Sequence, residues 1–184
     1  MKKWTSVLLT VVLLAVAVSL GAFSFTASAA TDGYYTYEVS NGEAAIIGCD
    51  TAISGDIVIP DTLGGYPVTS IENWAFYDCS SLTSVTIPDS VTSIEAYVFH
   101  DCSSLTSVTI PDSVTSVEGY AFYCCSSLTS VTIPDGVTSI EDGAFWNCSS
   151  LASVTIPDGV TSIGKNAFYD TGFYNNSNNW EIFK

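Results

Sequence analysis

The sequence predicts a mainly β solenoid with short helical turns, made by stacking one short coil on itself, and three observations carry that expectation. Residues 80–171 are four tandem units of 23 residues with no gap between them. They read SSLTSVTIPDSVTSIEAYVFHDC, SSLTSVTIPDSVTSVEGYAFYCC, SSLTSVTIPDGVTSIEDGAFWNC and SSLASVTIPDGVTSIGKNAFYDT. A fixed period in the range of roughly 20–50 residues marks an array in which each unit covers the apolar face of the next. Each unit also holds too little apolar material to fold alone: Leu105, Val108, Ile110, Val114, Val117 and Phe122 are its sizeable apolar side chains. Only the stack completes their burial.

Taken in order, the chain opens with a leader. Lys2 and Lys3 supply a positive start, Val7 to Leu20 an apolar run, and Ala27-Ser28-Ala29 a small-x-small cleavage pattern. Residues 1–30 are therefore expected to be a signal peptide, with an uncleaved anchor as the competing reading. No second apolar stretch approaches the ~18 residues of a membrane span, so no membrane insertion is expected after cleavage. Residues 31–67 are expected to form an N-terminal β cap, which a stack needs because its first face has no neighbour. Tyr34 to Val39 and Ala44 to Ile47 read as two strands around Ser40-Asn41-Gly42. Asp56-Ile57-Val58-Ile59-Pro60-Asp61 aligns with Ser84-Val85-Thr86-Ile87-Pro88-Asp89, with an insertion at Gly64-Gly65-Tyr66.

The array is expected over residues 68–171, and each unit resolves into three pieces. Leu82, Val85 and Ile87 alternate with Ser84 and Thr86, the pattern of a half-buried strand. Pro88 ends it and Asp89-Ser90 turns the chain. Val91 and Ile94 begin a second, shorter extended segment. Glu95 to Cys102 then has helical or 3₁₀ spacing, with Val98, Phe99 and Cys102 on one face. The pattern stops after Thr171: the residues 23 beyond Leu151, Val154 and Ile156 are Tyr174, Ser177 and Asn179. Residues 172–184 are expected to be a tail or truncated cap of a chain that is a fragment of a longer protein, with a minimal C-terminal cap as the competing reading.

The consensus LxxVxIPxxVxxIxxxAFxxC closely resembles the BspA-type (Treponema pallidum-type) bacterial leucine-rich repeat, from Ile57 to about Gly172. The resemblance implies a right-handed leucine-rich-repeat solenoid with a parallel sheet on its concave side. It also implies secreted or surface-attached proteins of host-associated bacteria, often adhesins.

Because neighbouring strands lie ~4.8 Å apart, every repeat position becomes a column in which a site can be sought. Ser84, Ser107, Ser130 and Ser153, with Thr86, Thr109, Thr132 and Thr155, give the concave face a hydroxyl-rich, uncharged surface. It suits a hydrogen-bonded peptide or glycan, and equally a plain solvated β-face. Trp74, Tyr97 and Tyr120 form one aromatic column, and Tyr77, His100, Tyr123, Trp146 and Tyr169 another. Aromatic rows anchor protein partners and stack on sugars. The competing reading is a row of rings that shields the core.

Asp61, Asp89, Asp112, Asp135 and Asp158 form a carboxylate column, as do Glu72, Glu95, Glu118 and Glu141. Weak calcium binding or Asp side chains capping turn amides would relieve their repulsion. Cys79, Cys102, Cys125 and Cys148 form a buried thiol column, and Cys49 and Cys124 fall outside the pattern. There is no CxxC, phosphate loop or dinucleotide fingerprint, and His100 is the single histidine, so no metal site, cofactor or catalytic residue is expected.

The exported chain sets 19 acids against Lys165 and Lys184. Such a charge disfavours nucleic acid and anionic lipid and suits a basic partner. The expected function is a secreted or cell-surface binding module for an extracellular protein, acting in interaction or adhesion. A structural spacer in a larger surface protein and a glycan-binding module are the alternatives.

Overall fold

The computed structural model describes residues 28–175. The expected signal peptide thus lies almost wholly outside the described residues, as do residues 176–184. No helix among the described residues is long and apolar enough to cross a membrane. They form strands and turns stacked into a solenoid, with no helix among them.

The described residues begin with an antiparallel meander of β1 (Ala30–Asp32), β2 (Tyr35–Ser40) and β3 (Glu43–Cys49). Asn41 and Gly42 turn β2 into β3 with φ of 54° and 84°. Two successive positive φ values match the right-handed twist of the strands they join, which is why Asn-Gly occurs there. After β4 (Gly55–Val58), the Gly64-Gly65 insertion closes a second small hairpin between β5 (Thr62–Leu63) and β6 (Tyr66–Ile71). Strand β3 lies parallel to β6, so the meander continues directly into the stack.

Each coil then contributes one strand to each of two parallel ladders. One ladder comprises β4, β7 (Leu82–Thr86) and β9 (Ser107–Thr109), followed by β11 (Ser130–Thr132) and β13 (Ser153–Thr155). The Thr129 amide donates to the Thr106 carbonyl at 3.3 Å and joins the two halves. The other ladder runs from β6 to β8 (Ser93–Ile94), then through β10 (Ser116–Val117), β12 (Ser139–Ile140) and β14 (Ser162–Ile163). Ser84 faces Ser107, Ser130 faces Ser153, and Ser116 faces Ser139, a constant offset of one repeat. Between the ladders Phe76, Phe99, Phe122, Phe145 and Phe168 stack at successive centroid distances of 5.1, 5.3, 5.1 and 5.3 Å. All five are buried.

The third side of each coil, expected to be helical or 3₁₀ over Glu95 to Cys102, forms no helix. It is a run of turns. In the first coil the amides of Ala75, Tyr77 and Cys79 donate to carbonyls three residues back, as in 3₁₀ structure. The alternate amides of Trp74, Phe76 and Asp78 donate instead to Ala96, Val98 and His100 of the next coil. A helix directs all its amides along its own axis, so it could not bond sideways in this way. The alternation requires left-handed residues. Trp74, Tyr97, Tyr120, Gly143 and Asn166 form one row with φ between 58° and 66°. Asp78, Asp101, Cys124, Asn147 and Asp170 form the second, with φ between 56° and 61°. A non-glycine residue in this conformation costs ~1–2 kcal/mol. Each inter-coil hydrogen bond returns ~0.5–1.5 kcal/mol net.

At the far end Thr171 takes the thiol position and stays buried. Its hydroxyl donates to the Phe168 carbonyl at 2.7 Å and accepts from the Tyr174 amide at 2.9 Å. Phe173 is also buried, with its ring edge-on to Phe168 at 5.5 Å.

Candidate functional site

The turn side carries the aromatic residues, and the left-handed row determines where their rings go. With positive φ, Trp74, Tyr97 and Tyr120 project outward beside the buried Phe column. Their rings stack almost parallel, Trp74 on Tyr97 at 4.1 Å and 6°, and Tyr97 on Tyr120 at 5.0 Å and 4°. The stack ends at Gly143 because Tyr120 leans over it: a Cβ there would fall 2.5 Å from Tyr120 Cε1.

The second column lies against the first. Trp74 meets Tyr77 edge-on at 5.5 Å, Tyr97 meets His100 at 5.9 Å, and Tyr120 meets Tyr123 at 5.9 Å. His100 and Tyr123 stack at 4.8 Å, after which Tyr123, Trp146 and Tyr169 follow edge-to-face at 5.8 and 5.6 Å. All eight aromatic residues singled out in the sequence therefore form one continuous surface row. Tyr174 extends it, 6.1 Å from Tyr169. Sequence reasoning passed over Tyr174 because it occupies the row where a further strand should start with Leu.

The row is uneven. Trp74, Tyr77 and Tyr169 are 48%, 45% and 48% exposed, whereas Tyr97, His100, Tyr120, Tyr123 and Trp146 are half-buried. In the middle, neighbouring rings cover much of one another's faces. His100 Nδ1 lies 3.1 Å from Asp101 Oδ2, an ion-pair distance when the imidazole is protonated, though not aligned as a hydrogen bond. Cys124 beside Tyr123 raises that phenol, first by the charge its sulfur would carry and then by a hydrogen bond.

On the hydroxyl face, Ser107, Thr109, Ser130, Thr132, Ser153 and Thr155 are exposed, and Ser84 and Thr86 are half-buried. Some of that hydrogen-bonding capacity is used within the face. The Ser107 hydroxyl donates to Ser84 Oγ at 3.0 Å, and neighbouring Thr106 donates to the Thr83 carbonyl at 2.8 Å. Val58, aligned with Thr86, heads the face as a 71% exposed apolar side chain.

The carboxylate columns behave otherwise than expected. Proline carbonyls close the turns in place of Asp side chains: Val91, Val114, Val137 and Val160 donate their amides to Pro88, Pro111, Pro134 and Pro157. The Asp side chains stay exposed. Glu72 and Glu118 instead accept from Ser70 and Ser116 at 2.8 and 2.7 Å. Among the described residues no group of three or more His, Cys, Asp or Glu could hold a metal ion, so calcium finds no support there. A shallow hollow lined by Asp135, Ile156, Pro157, Asp158 and Gly159 brings two carboxylates together without a nucleophile.

The thiol column is structural. Cys102, Cys125 and Cys148 donate to the carbonyls of Phe76, Phe99 and Phe122 in the preceding coil at 3.2, 3.1 and 3.0 Å. Burial raises the Cys102 and Cys125 thiols well above their ordinary range. Cys49 is not isolated, as its place outside the repeat implied. Its thiol donates to the Asp50 carbonyl at 3.8 Å, and its interaction with the Cys79 thiol raises Cys49 and lowers Cys79 from the ordinary thiol range. Asn147 Nδ2 meets Cys124 Sγ at 3.1 Å.

Comparison with known proteins places these features in context. The family model for the BspA type leucine rich repeat region matches residues 56–178 in six copies. A T. pallidum leucine rich repeat protein superposes with a TM-score of 0.69 at 31% identity, over 74% of this chain and 64% of that one. A leucine rich cell surface protein from Faecalibacterium prausnitzii is 37% identical with a TM-score of 0.61, over 78% and 46% of the two chains. The pneumococcal vaccine antigen PcpA shares the fold at 19% identity, TM-score 0.60, over 79% and 48%. The chain thus spans between about half and two thirds of the length of these solved structures. No curated protein sequence matches it significantly.

Proposed function

This chain belongs to the BspA-type leucine-rich-repeat family, and from that premise we propose that it is an extracellular protein-binding module whose contact surface is the aromatic row. The observation that carries this reading is the row itself, a continuous file of Trp, Tyr and His rings with exposed members at both ends. Trp and Tyr dominate the energetic centres of protein interfaces, since they bury large areas while offering a polar edge. The hydroxyl face is the weaker candidate, because it offers no ring to anchor a partner.

The ring geometry favours a protein over a glycan. Sugars stack on open ring faces, and the faces of Tyr97 and Tyr120 are largely taken by their neighbours. The half-buried rings keep part of their surface accessible, and a tyrosine's combination of ring edge and hydroxyl suits the backbone and side-chain groups of a polypeptide. The lysine-led apolar leader supports export, and likeness to a cell surface protein supports a place on the outside of a bacterium, in adhesion.

The test is a panel of immobilised extracellular proteins and glycans probed with the full chain and with a Tyr123→Ala/Trp146→Ala variant of matching circular dichroism. Binding to protein spots that falls at least about five-fold in the variant is expected. Undiminished binding by the variant, or binding to glycans alone, would overturn the assignment.

A further inference from the structure

The two ends of the aromatic row differ in chemistry, and the end formed by the first coil points to one kind of partner. Trp74 heads the stack. One face of its indole is covered by Tyr97, and among the described residues no ring lies parallel against the other. Tyr77 stands edge-on to it at 76°, so together they make an open aromatic corner on the surface. The face of an indole is the negative side of its quadrupole and attracts cations more strongly than any other side chain's ring.

The charges around this corner have one sign. Asp78 follows Tyr77 directly, is exposed, and donates its amide to the His100 carbonyl at 2.9 Å. Asp101 lies 3.1 Å from His100, whose ring is 5.4 Å from Trp74 and 5.3 Å from Tyr77. Of the 19 acids in the chain, all but Glu181 lie within the described part, against one base there, Lys165. Lys165 belongs to the last coil, four coil spacings or roughly 19 Å along the stack from Trp74. No lysine or arginine among the described residues therefore occupies the open indole face or neutralises Asp78. His100 is the single titratable base facing the corner.

We propose that the Trp74–Tyr77 corner docks a basic segment of a partner polypeptide, with an arginine or lysine side chain on the open face of Trp74 and the carboxylates of Asp78 and Asp101 beside it. This deepens, and rests on, the reading of the aromatic row as a protein-binding surface. An arginine suits the corner better than a lysine, because its flat guanidinium stacks on an aromatic face while its N–H groups reach a carboxylate. Phosphate backbones and anionic lipid are repelled by the same charges.

A displayed library of random 12-residue peptides tests the proposal, selected on the full chain and counter-selected on a Trp74→Ala/Tyr77→Ala variant. The expected result is enrichment of Arg- and Lys-containing peptides that bind the unaltered chain. A synthetic representative should bind the double variant at least about five-fold more weakly and lose affinity as salt rises. Asp78→Asn, which leaves the rings untouched and tolerates the left-handed backbone, should weaken the same peptide. Asp158→Asn, the same change of charge in the last coil and away from the aromatic row, should not.

Enrichment of variant-sensitive peptides without positive charge would overturn the basic partner while leaving the binding row intact. Basic peptides that bind the double variant equally well would show only diffuse attraction and overturn the corner as their site. Failure to recover any peptide sensitive to the double variant or to Tyr123→Ala/Trp146→Ala would overturn both readings.

Discussion

Phe122 shows how one repeat position becomes a structural necessity. Its ring lies between those of Phe99 and Phe145 at 5.3 and 5.1 Å, with no exposed surface. No neighbour can collapse into the space, because each Phe is held by its own coil. Phe122→Ala is therefore expected to cost ~3–5 kcal/mol, measured by urea unfolding. The thiols give a second prediction. Burial places the folded-state pKa of Cys102 and Cys125 above that of an unfolded thiol, ~8.5. Their contribution is fully present below the unfolded pKa and is lost as pH rises through the folded one, since only the unfolded chain releases the proton readily. Tyr35, pushed up to about 12 by burial and then by Cys49, adds to the same trend at higher pH. Urea midpoints should fall between about pH 7 and pH 10, and Cys102→Ala/Cys125→Ala should flatten that fall. An unchanged slope in the double variant would reject the assignment.

At the scale of an element, the coil behaves as an exchangeable part. Its hydrogen bonds run to the coil before and the coil after at a constant offset, so its contacts are with neighbours alone. Removing residues 103–125 joins Cys102 to Ser126 and sets Tyr97 over Gly143, where Tyr120 now lies. The shortened chain should still unfold cooperatively, at a lower Tm, in calorimetry. A chain that no longer folds would contradict nearest-neighbour stacking. The turn side is less forgiving. Gly143→Ala places a Cβ against the Tyr120 ring at φ +64°, a loss of ~1–3 kcal/mol in urea unfolding from backbone strain and overlap. Gly159→Ser should be almost neutral by the same measurement, because Ser90 and Ser113 occupy that row in other coils.

For the molecule as a whole, charge is the dominant unbalanced term. Eighteen of the described residues are acidic and one is basic, so compaction brings like charges together. Raising NaCl from about 0.02 to 0.5 M should raise the Tm by several degrees as that repulsion is screened. A Tm that falls with salt would show attraction dominating instead. On the proposed reading, the same excess makes the aromatic corner at Trp74 selective for a partner that supplies positive charge.

The stack, its two extended segments per unit and the buried Phe and Cys columns were legible in residues 80–171, because a solenoid's contacts repeat with the sequence period. The Asn41-Gly42 turn was legible for a local reason, its need for positive φ. Tertiary structure decided the rest. Glu95 to Cys102 has helical or 3₁₀ spacing, yet only every second amide bonds three residues back, while the others bond to the next coil and Tyr97 and its equivalents take left-handed backbone. That conformation, invisible in residue order, turns the aromatic columns outward and stacks them. The interaction of Cys49 with Cys79 and the place of Tyr174 in the row likewise depend on segments distant in the chain meeting in space. Sequence determined which side chains line up, because the period is local and exact copies stack in register; structure determined which way they face, because that depends on hydrogen bonds between coils.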